Sequence, residues 1–145
     1  MKKRDILLVE DNPSDVDLTR RAIARNRIAN DLVVVGDGQA ALDYLFGEGA
    51  YAGRDLSVQP ALTLLDLKLP KVDGIEVLRR LRADPRTRRL PVVILTSSQE
   101  QEDLTAGYDL GANSYIRKPV DFHAFSDAIS NLGLYWLILN EPPPL

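Results

Sequence analysis

The chain has no cysteine among its 145 residues. Disulfides, thiolate metal sites and a cysteine nucleophile are thereby excluded, and the absence fits an intracellular protein. Long apolar runs are missing too. After the basic start, Ile6 to Val9 is too short for the apolar segment of a signal peptide, and no stretch reaches the ~20 residues that span a bilayer. Positive charge is not in excess: Lys+Arg 18 against Asp+Glu 21 leaves a net charge of -3, so neither nucleic acid nor membrane is expected as a main partner. The single histidine, His123, falls at the polar start of the last expected helix and reads as a surface residue. No glycine-rich phosphate loop points to a nucleotide enzyme.

What is present suits one domain: 45% hydrophobic residues in a chain of this length supply a sizeable core. The organising stretch is Leu62 to Asp66, a short apolar run that ends in a carboxylate, with Pro70 shortly after it. Such a run suits a strand buried on both faces. Ile6 to Val9, Leu32 to Val35, Pro91 to Leu95 and Ser114 to Ile116 read as further strands. Between them come helices. One opens at Asn12-Pro13, with Asn12 as N-cap, and one follows Gly36-Asp37-Gly38 with Ala40, Ala41, Leu42, Leu45 and Phe46. Another is capped by Asp73, and a fourth carries Leu104, Tyr108 and Leu110. The last is capped by Asp121. Residues 47–60 form a connection long enough to be either mobile or used for contact. The arginines at 79, 80, 82, 86, 88 and 89 read as a solvated helix face. Unbroken strand–helix alternation means a doubly wound α/β fold with a five-stranded parallel sheet in the order 2-1-3-4-5.

In such a sheet the ligand site lies beyond the carboxyl ends of the strands, where the winding reverses. Glu10 and Asp11 follow the first strand, Asp66 ends the third, Thr96 follows the fourth and Lys118 the fifth. Singly, an acid after a strand caps a helix and a lone lysine is solvated; their joint occurrence at four strand ends carries the reading. Asp66 is not needed as a cap, because Asp73 stands at the start of the next helix. Three crowded carboxylates repel unless a cation joins them, and a hard divalent ion, Mg²⁺, resolves this. The site then has one use: bringing a phosphoryl group to Asp66 as nucleophile, with Lys118 and the Thr96 hydroxyl on the phosphoryl oxygens.

Glu10-Asp11, Leu-Leu-Asp66 with Leu69-Pro70 and Asp73-Gly74, Leu-Thr96-Ser and Tyr115-Ile-Arg-Lys118-Pro119 together resemble the receiver domain of two-component response regulators, a flavodoxin-like fold. The resemblance covers nearly the whole chain, with a core of about residues 4–133. It implies that Asp66 accepts a phosphoryl group from a histidine kinase, that Asp11 binds Mg²⁺ directly with Glu10 behind it, and that the Lys68 backbone carbonyl is a further ligand. It also implies that Thr96 and Tyr115 form a switch pair, that Lys68 and Ser98 tune the lifetime of the acyl phosphate, and that catalysis is limited to autophosphatase activity. Position 10 is Glu where the commonest pattern has Asp.

No effector domain is recognised, so a single-domain regulator acting through a partner, a phosphorelay or its own association is expected. The Leu134 to Leu139 stretch, containing Tyr135, Trp136 and Leu137, extends beyond the usual end of a receiver and reads as an interface. This extension over residues 134–145, with the 47–60 loop, looks like the cytoplasmic regulators that pair with bacterial phytochrome kinases. In those proteins the last two helices and the extended C-terminus form a homodimer. Two other classes are weighed. A haloacid-dehalogenase-like phosphatase needs a second acid two residues after its nucleophile, where this chain has Lys68. A phosphorylation-independent dimeric scaffold has no need to keep acids crowded.

Overall fold

Every residue of Ile6–Val9 (β1) and Leu62–Asp66 (β3) is buried, which is why both read as continuous rather than alternating apolar runs. The computed structural model describes residues 4–26, 28, 30–96, 109–112, 114–117, 126–128 and 130–131, with the main chain alone for Thr96 and for 114–117. With Leu32–Val35 (β2), Val92–Thr96 (β4) and Ser114–Arg117 (β5), these strands form one parallel sheet in the order β2-β1-β3-β4-β5, as the sequence predicts. The fourth and fifth strands each run one residue further than expected, to Thr96 and Arg117.

The helices start where the capping residues dictate. Pro13–Arg25 (α1) begins after Asn12, whose side-chain oxygen accepts the N–H groups of Ser14 at 2.9 Å and Asp15 at 3.4 Å. Gly38–Phe46 (α2) is capped by Asp37 and Gly74–Ala83 (α3) by Asp73, whose carboxylate accepts the Glu76 N–H at 3.0 Å. The Glu76 side chain turns outward to Arg79, at 3.1 Å. The expected fourth and fifth helices lie largely outside the described residues. Helix α1 packs Ala22 and Ile23 on one face of the sheet with Ile6, Leu8, Leu62, Leu64 and Val93; α2 and α3 cover the other with Leu42, Leu45, Val77, Leu78 and Leu81.

The 47–60 connection is used for contact. After one 3-10 turn at Gly49–Tyr51, the Arg54 guanidinium donates to the Tyr44 carbonyl at 2.6 Å, the Val58 carbonyl at 3.0 Å and the Gln59 Oε1 at 2.7 Å. Gln59, 1% exposed, in turn donates to the Leu45 carbonyl at 3.0 Å. Arg54 also lies over the Tyr44 ring, whose hydroxyl donates to Asp5. Burial, and then the Asp5 carboxylate, hold the Tyr44 phenol above its ordinary pKa.

The arginine cluster needs one correction. Arg82 is half-buried, and its guanidinium caps four carbonyls: Leu110 at 3.0 Å, Arg88 at 3.1 Å, and Leu90 and Gly111 at 2.8 Å each. Desolvation lowers its pKa from the ordinary value, yet it remains the strut that joins α3 to the chain on either side of β4. The other five arginines are exposed, as expected of a solvated surface.

Thr63, inside the apolar run of β3, is 1% exposed, and its hydroxyl is the buried side-chain polar atom without a hydrogen-bond partner among the described residues. Its in-register neighbours are Leu7 and Val92. Replacing it with the isosteric valine removes an unmatched polar group, so Thr63→Val is expected to raise stability by about 1 kcal/mol. The urea midpoint of the variant against the parent measures this, and a lower midpoint would reveal a partner for the hydroxyl.

Candidate functional site

The reversal of winding places the ends of β1 and β3 side by side. Val9 pairs with Leu65 across the sheet, so Glu10 and Asp11 leave β1 beside Asp66, the last residue of β3. The Glu10 N–H donates to the Val35 carbonyl at 3.0 Å, extending the β1–β2 ladder by one residue and directing its carboxyl group inward. One carboxylate oxygen from each of Glu10, Asp11 and Asp66 lies within 4.8 Å of the others. Glu10 and Asp66 are 3% and 6% exposed, whereas Asp11 faces solvent.

Two backbone groups help to hold this arrangement. Glu10 accepts the Asn12 N–H at 3.2 Å, and Asp66 accepts the Lys68 N–H at 3.3 Å. Two charges at this separation repel by roughly 3 kcal/mol at an effective dielectric near 20, a repulsion that a cation held between them would relieve. The donor set is all oxygen, compact and open to water on the Asp11 side. It therefore fits a hard divalent cation such as Mg²⁺ and does not suit a soft metal.

The loop from Leu67 to Asp73 is fixed by close backbone approach. Gly74, the first residue of α3, donates its N–H to the Leu67 carbonyl at 2.9 Å. A Cβ at this position would overlap the Asp66 carbonyl oxygen and lie 2.6 Å from Leu67 Cα. On the other side, Gly38 at the start of α2 donates to the Pro70 carbonyl at 3.3 Å, and a Cβ there would overlap the Val72 carbonyl oxygen. Within the loop Lys71 has φ +67°, the one positive value among the described non-glycine residues, and its ammonium lies 3.6 Å from Asp37.

The structure thus brings together three of the expected residues, Glu10, Asp11 and Asp66, with Lys68 two residues beyond. Thr96 ends β4 one position past Leu95, the in-register partner of Asp66, and Tyr115 is level with Ile94 on β5; their side chains lie outside the described residues. So do Ser98, Lys118, Pro119, His123, Tyr135, Trp136 and Leu137. Sequence reasoning missed the role of Gly38 and Asp37, which it read only as the break between a strand and the helix that follows. The available signal was Asp37 immediately before the apolar positions of α2, a usual N-cap placement. Beside Asp11, a groove of about 390 Å³ is lined by Pro13, Val16, Asp17 and Arg20. Among the described residues no helix is long and apolar enough to cross a membrane.

Residues 6–130 match the family described as the response regulator receiver domain. The structure resembles that of the phosphorylated cyanobacterial phytochrome response regulator RcpA, with a TM-score of 0.88, 38% identity and coverage of 99% of this chain and 100% of that one. It also resembles the bacteriophytochrome response regulator RtBRR, with a TM-score of 0.80, 50% identity and coverage of 99% and 86% respectively. A curated relative, "Probable methanogenesis regulatory protein FilR2" of Methanothrix harundinacea (strain 6Ac), is 43% identical over 95% of this chain and 86% of its own length.

Proposed function

Since the chain belongs to the family of response regulator receiver domains, we propose that it accepts a phosphoryl group on Asp66 from a sensor histidine kinase in a Mg²⁺-dependent reaction, and signals through the resulting change in shape. The observation that carries this reading is the convergence of the Glu10, Asp11 and Asp66 carboxylates within 4.8 Å at the ends of β1 and β3. A scaffold has no use for such crowding.

The chemistry follows from the residues. An Asp66 oxygen bonds to phosphorus as the P–N bond of the donor phosphohistidine breaks, and the departing imidazole takes up a proton. Asp11 would hold the divalent ion, with Glu10 behind it and the Lys68 carbonyl as a further ligand. That ion, when bound, neutralises charge on the phosphoryl oxygens. Lys118 supplies a second positive charge and Thr96 a hydroxyl donor. The Thr96 hydroxyl and the Tyr115 ring then move together as the switch. The chain's own catalysis is confined to hydrolysis of its acyl phosphate, with Lys68 and Ser98 flanking the phosphoryl group and setting its lifetime. The groove along α1 beside Asp11 offers a surface to the kinase.

For the input, the likeness to RcpA and RtBRR supports a phytochrome-type kinase in the cytoplasm, while FilR2 represents a different regulatory setting. Transfer from an ATP-charged biliprotein kinase is expected to change in rate between red and far-red light. Transfer at one rate under both would assign the chain to another class of sensor. The reading includes a homodimer built on Tyr135, Trp136, Leu137 and the last two helices, because this extension adds apolar area to a complete receiver. Sedimentation velocity should show a monomer once residues 134–145 are removed; an unchanged assembly would refute that surface.

A further inference from the structure

We propose that Asp37 and Lys71 are positioning residues for the metal site, holding the β3–α3 loop that carries Lys68 in its working conformation against the N-terminus of α2. The inference rests on the reading of the carboxylate cluster as that site.

Lys71 adopts a left-handed backbone, φ +67°, that a side chain disfavours, and it does so in the middle of a loop that glycine could have served. Strain of this kind persists only where the surroundings over-determine it. Here they are visible. The Lys71 ammonium reaches Asp37 at 3.6 Å, and the same carboxyl group, through its other oxygen, accepts the Ala40 N–H at 2.7 Å as the cap of α2. On either side of Lys71, the Pro70 carbonyl accepts the Gly38 N–H at 3.3 Å and the Val72 N–H at 2.8 Å. The Val72 carbonyl sits where only a glycine leaves room. The cap of α2 is therefore joined to the crest of the loop by one ion pair and one backbone bond.

The loop has no helical or strand ladder of its own. Its far end is closed by the Gly74 N–H on the Leu67 carbonyl at 2.9 Å, and its near end by the Lys68 N–H on Asp66 at 3.3 Å. Lys68 sits at the near closure, two residues before the crest at Pro70 to Val72. Releasing the crest lets the segment from Lys68 to Lys71 sample other conformations, so a metal ion must bind against that disorder. Asp37 reaches the loop through its ion pair with Lys71. The pair is partly exposed, with side-chain exposures of 21% for Asp37 and 69% for Lys71, so solvent limits the effect.

Two substitutions separate positioning from general stability. Asp37→Asn keeps the capping oxygen and removes the charge, while Lys71→Gly keeps the left-handed backbone and removes the ammonium. The probe is Mn²⁺, with the free ion read by paramagnetic resonance, for the full chain, both variants, the double variant and Asp11→Asn as control. Each single variant is expected to bind Mn²⁺ about threefold more weakly. The double variant should be no weaker than either, and the difference should vanish at ~1 M salt, where exposed pairs are screened. In the metal-free protein, the Val72 amide should exchange faster in both variants, while the thermal midpoint of Asp37→Asn stays near the parent value. Parent-like Mn²⁺ affinity in both variants, with Asp11→Asn weakened, overturns the positioning role alone. Equal affinity in parent and Asp11→Asn overturns the metal site on which it rests.

Discussion

Asp66→Asn is expected to fold as the parent does and to accept no phosphoryl group. The change is nearly isosteric and keeps an oxygen that can receive the Lys68 N–H, now 3.3 Å from Asp66 Oδ1. It also removes one of the charges that crowd the end of the sheet, so the metal-free variant should be at least as stable as the parent. The amide cannot form the acyl phosphate, and loss of acceptance should be complete rather than partial. Labelling from a phosphorylated kinase, together with thermal unfolding of both proteins, reads the two halves of the expectation. A labelled variant would move the acceptor elsewhere. An unfolded one would mean that Asp66 has a structural role beyond accepting the Lys68 N–H.

Gly74→Ala is expected to be strongly destabilising. The new Cβ would overlap the Asp66 carbonyl oxygen and lie 2.6 Å from Leu67 Cα and 3.0 Å from the Asp66 carbonyl carbon. All three obstacles are backbone, so no rotamer change relieves them. A loss of about 3 kcal/mol is expected from overpacking of this kind. Because the atoms that must yield belong to Asp66 and Leu67, phosphoryl acceptance should also fall, on the order of 100-fold for a misplacement near 1 Å. Gly38→Ala, which meets the Val72 backbone, should behave similarly in stability. Gly36→Ala is the control, since a Cβ there meets nothing within 4 Å. Urea unfolding of the three variants decides: a Gly74→Ala protein with the parent's midpoint would show that the loop after β3 is looser than its contacts imply.

Strand order and the acid cluster were legible because both depend on local signals. Short apolar runs with polar ends specify buried parallel strands, and once the order is known, Glu10, Asp11 and Asp66 must meet. Asn12 and Asp73 were legible as caps for the same reason, since each acts on N–H groups two or three residues away. What stayed hidden acts across the chain. Arg82 looks like its exposed neighbours in sequence, yet its fork reaches the Leu110 and Gly111 carbonyls, 28 and 29 residues on. Arg54 and Gln59 pin a loop that looks merely long. Gly38 was visible as a turn residue, but the reason that nothing larger fits is Val72, on a different loop. Side chains that satisfy distant backbone groups leave no periodicity to read.

The most direct test of the account is the intact mass of the full chain after incubation with a small acyl-phosphate donor and Mg²⁺, with and without a chelator. One added phosphoryl group that appears only with the free divalent ion, and is lost on mild alkaline treatment as acyl phosphates are, is the predicted result. An unmodified mass under both conditions, from folded protein and active donor, or an adduct that forms equally well in the chelator, would contradict it.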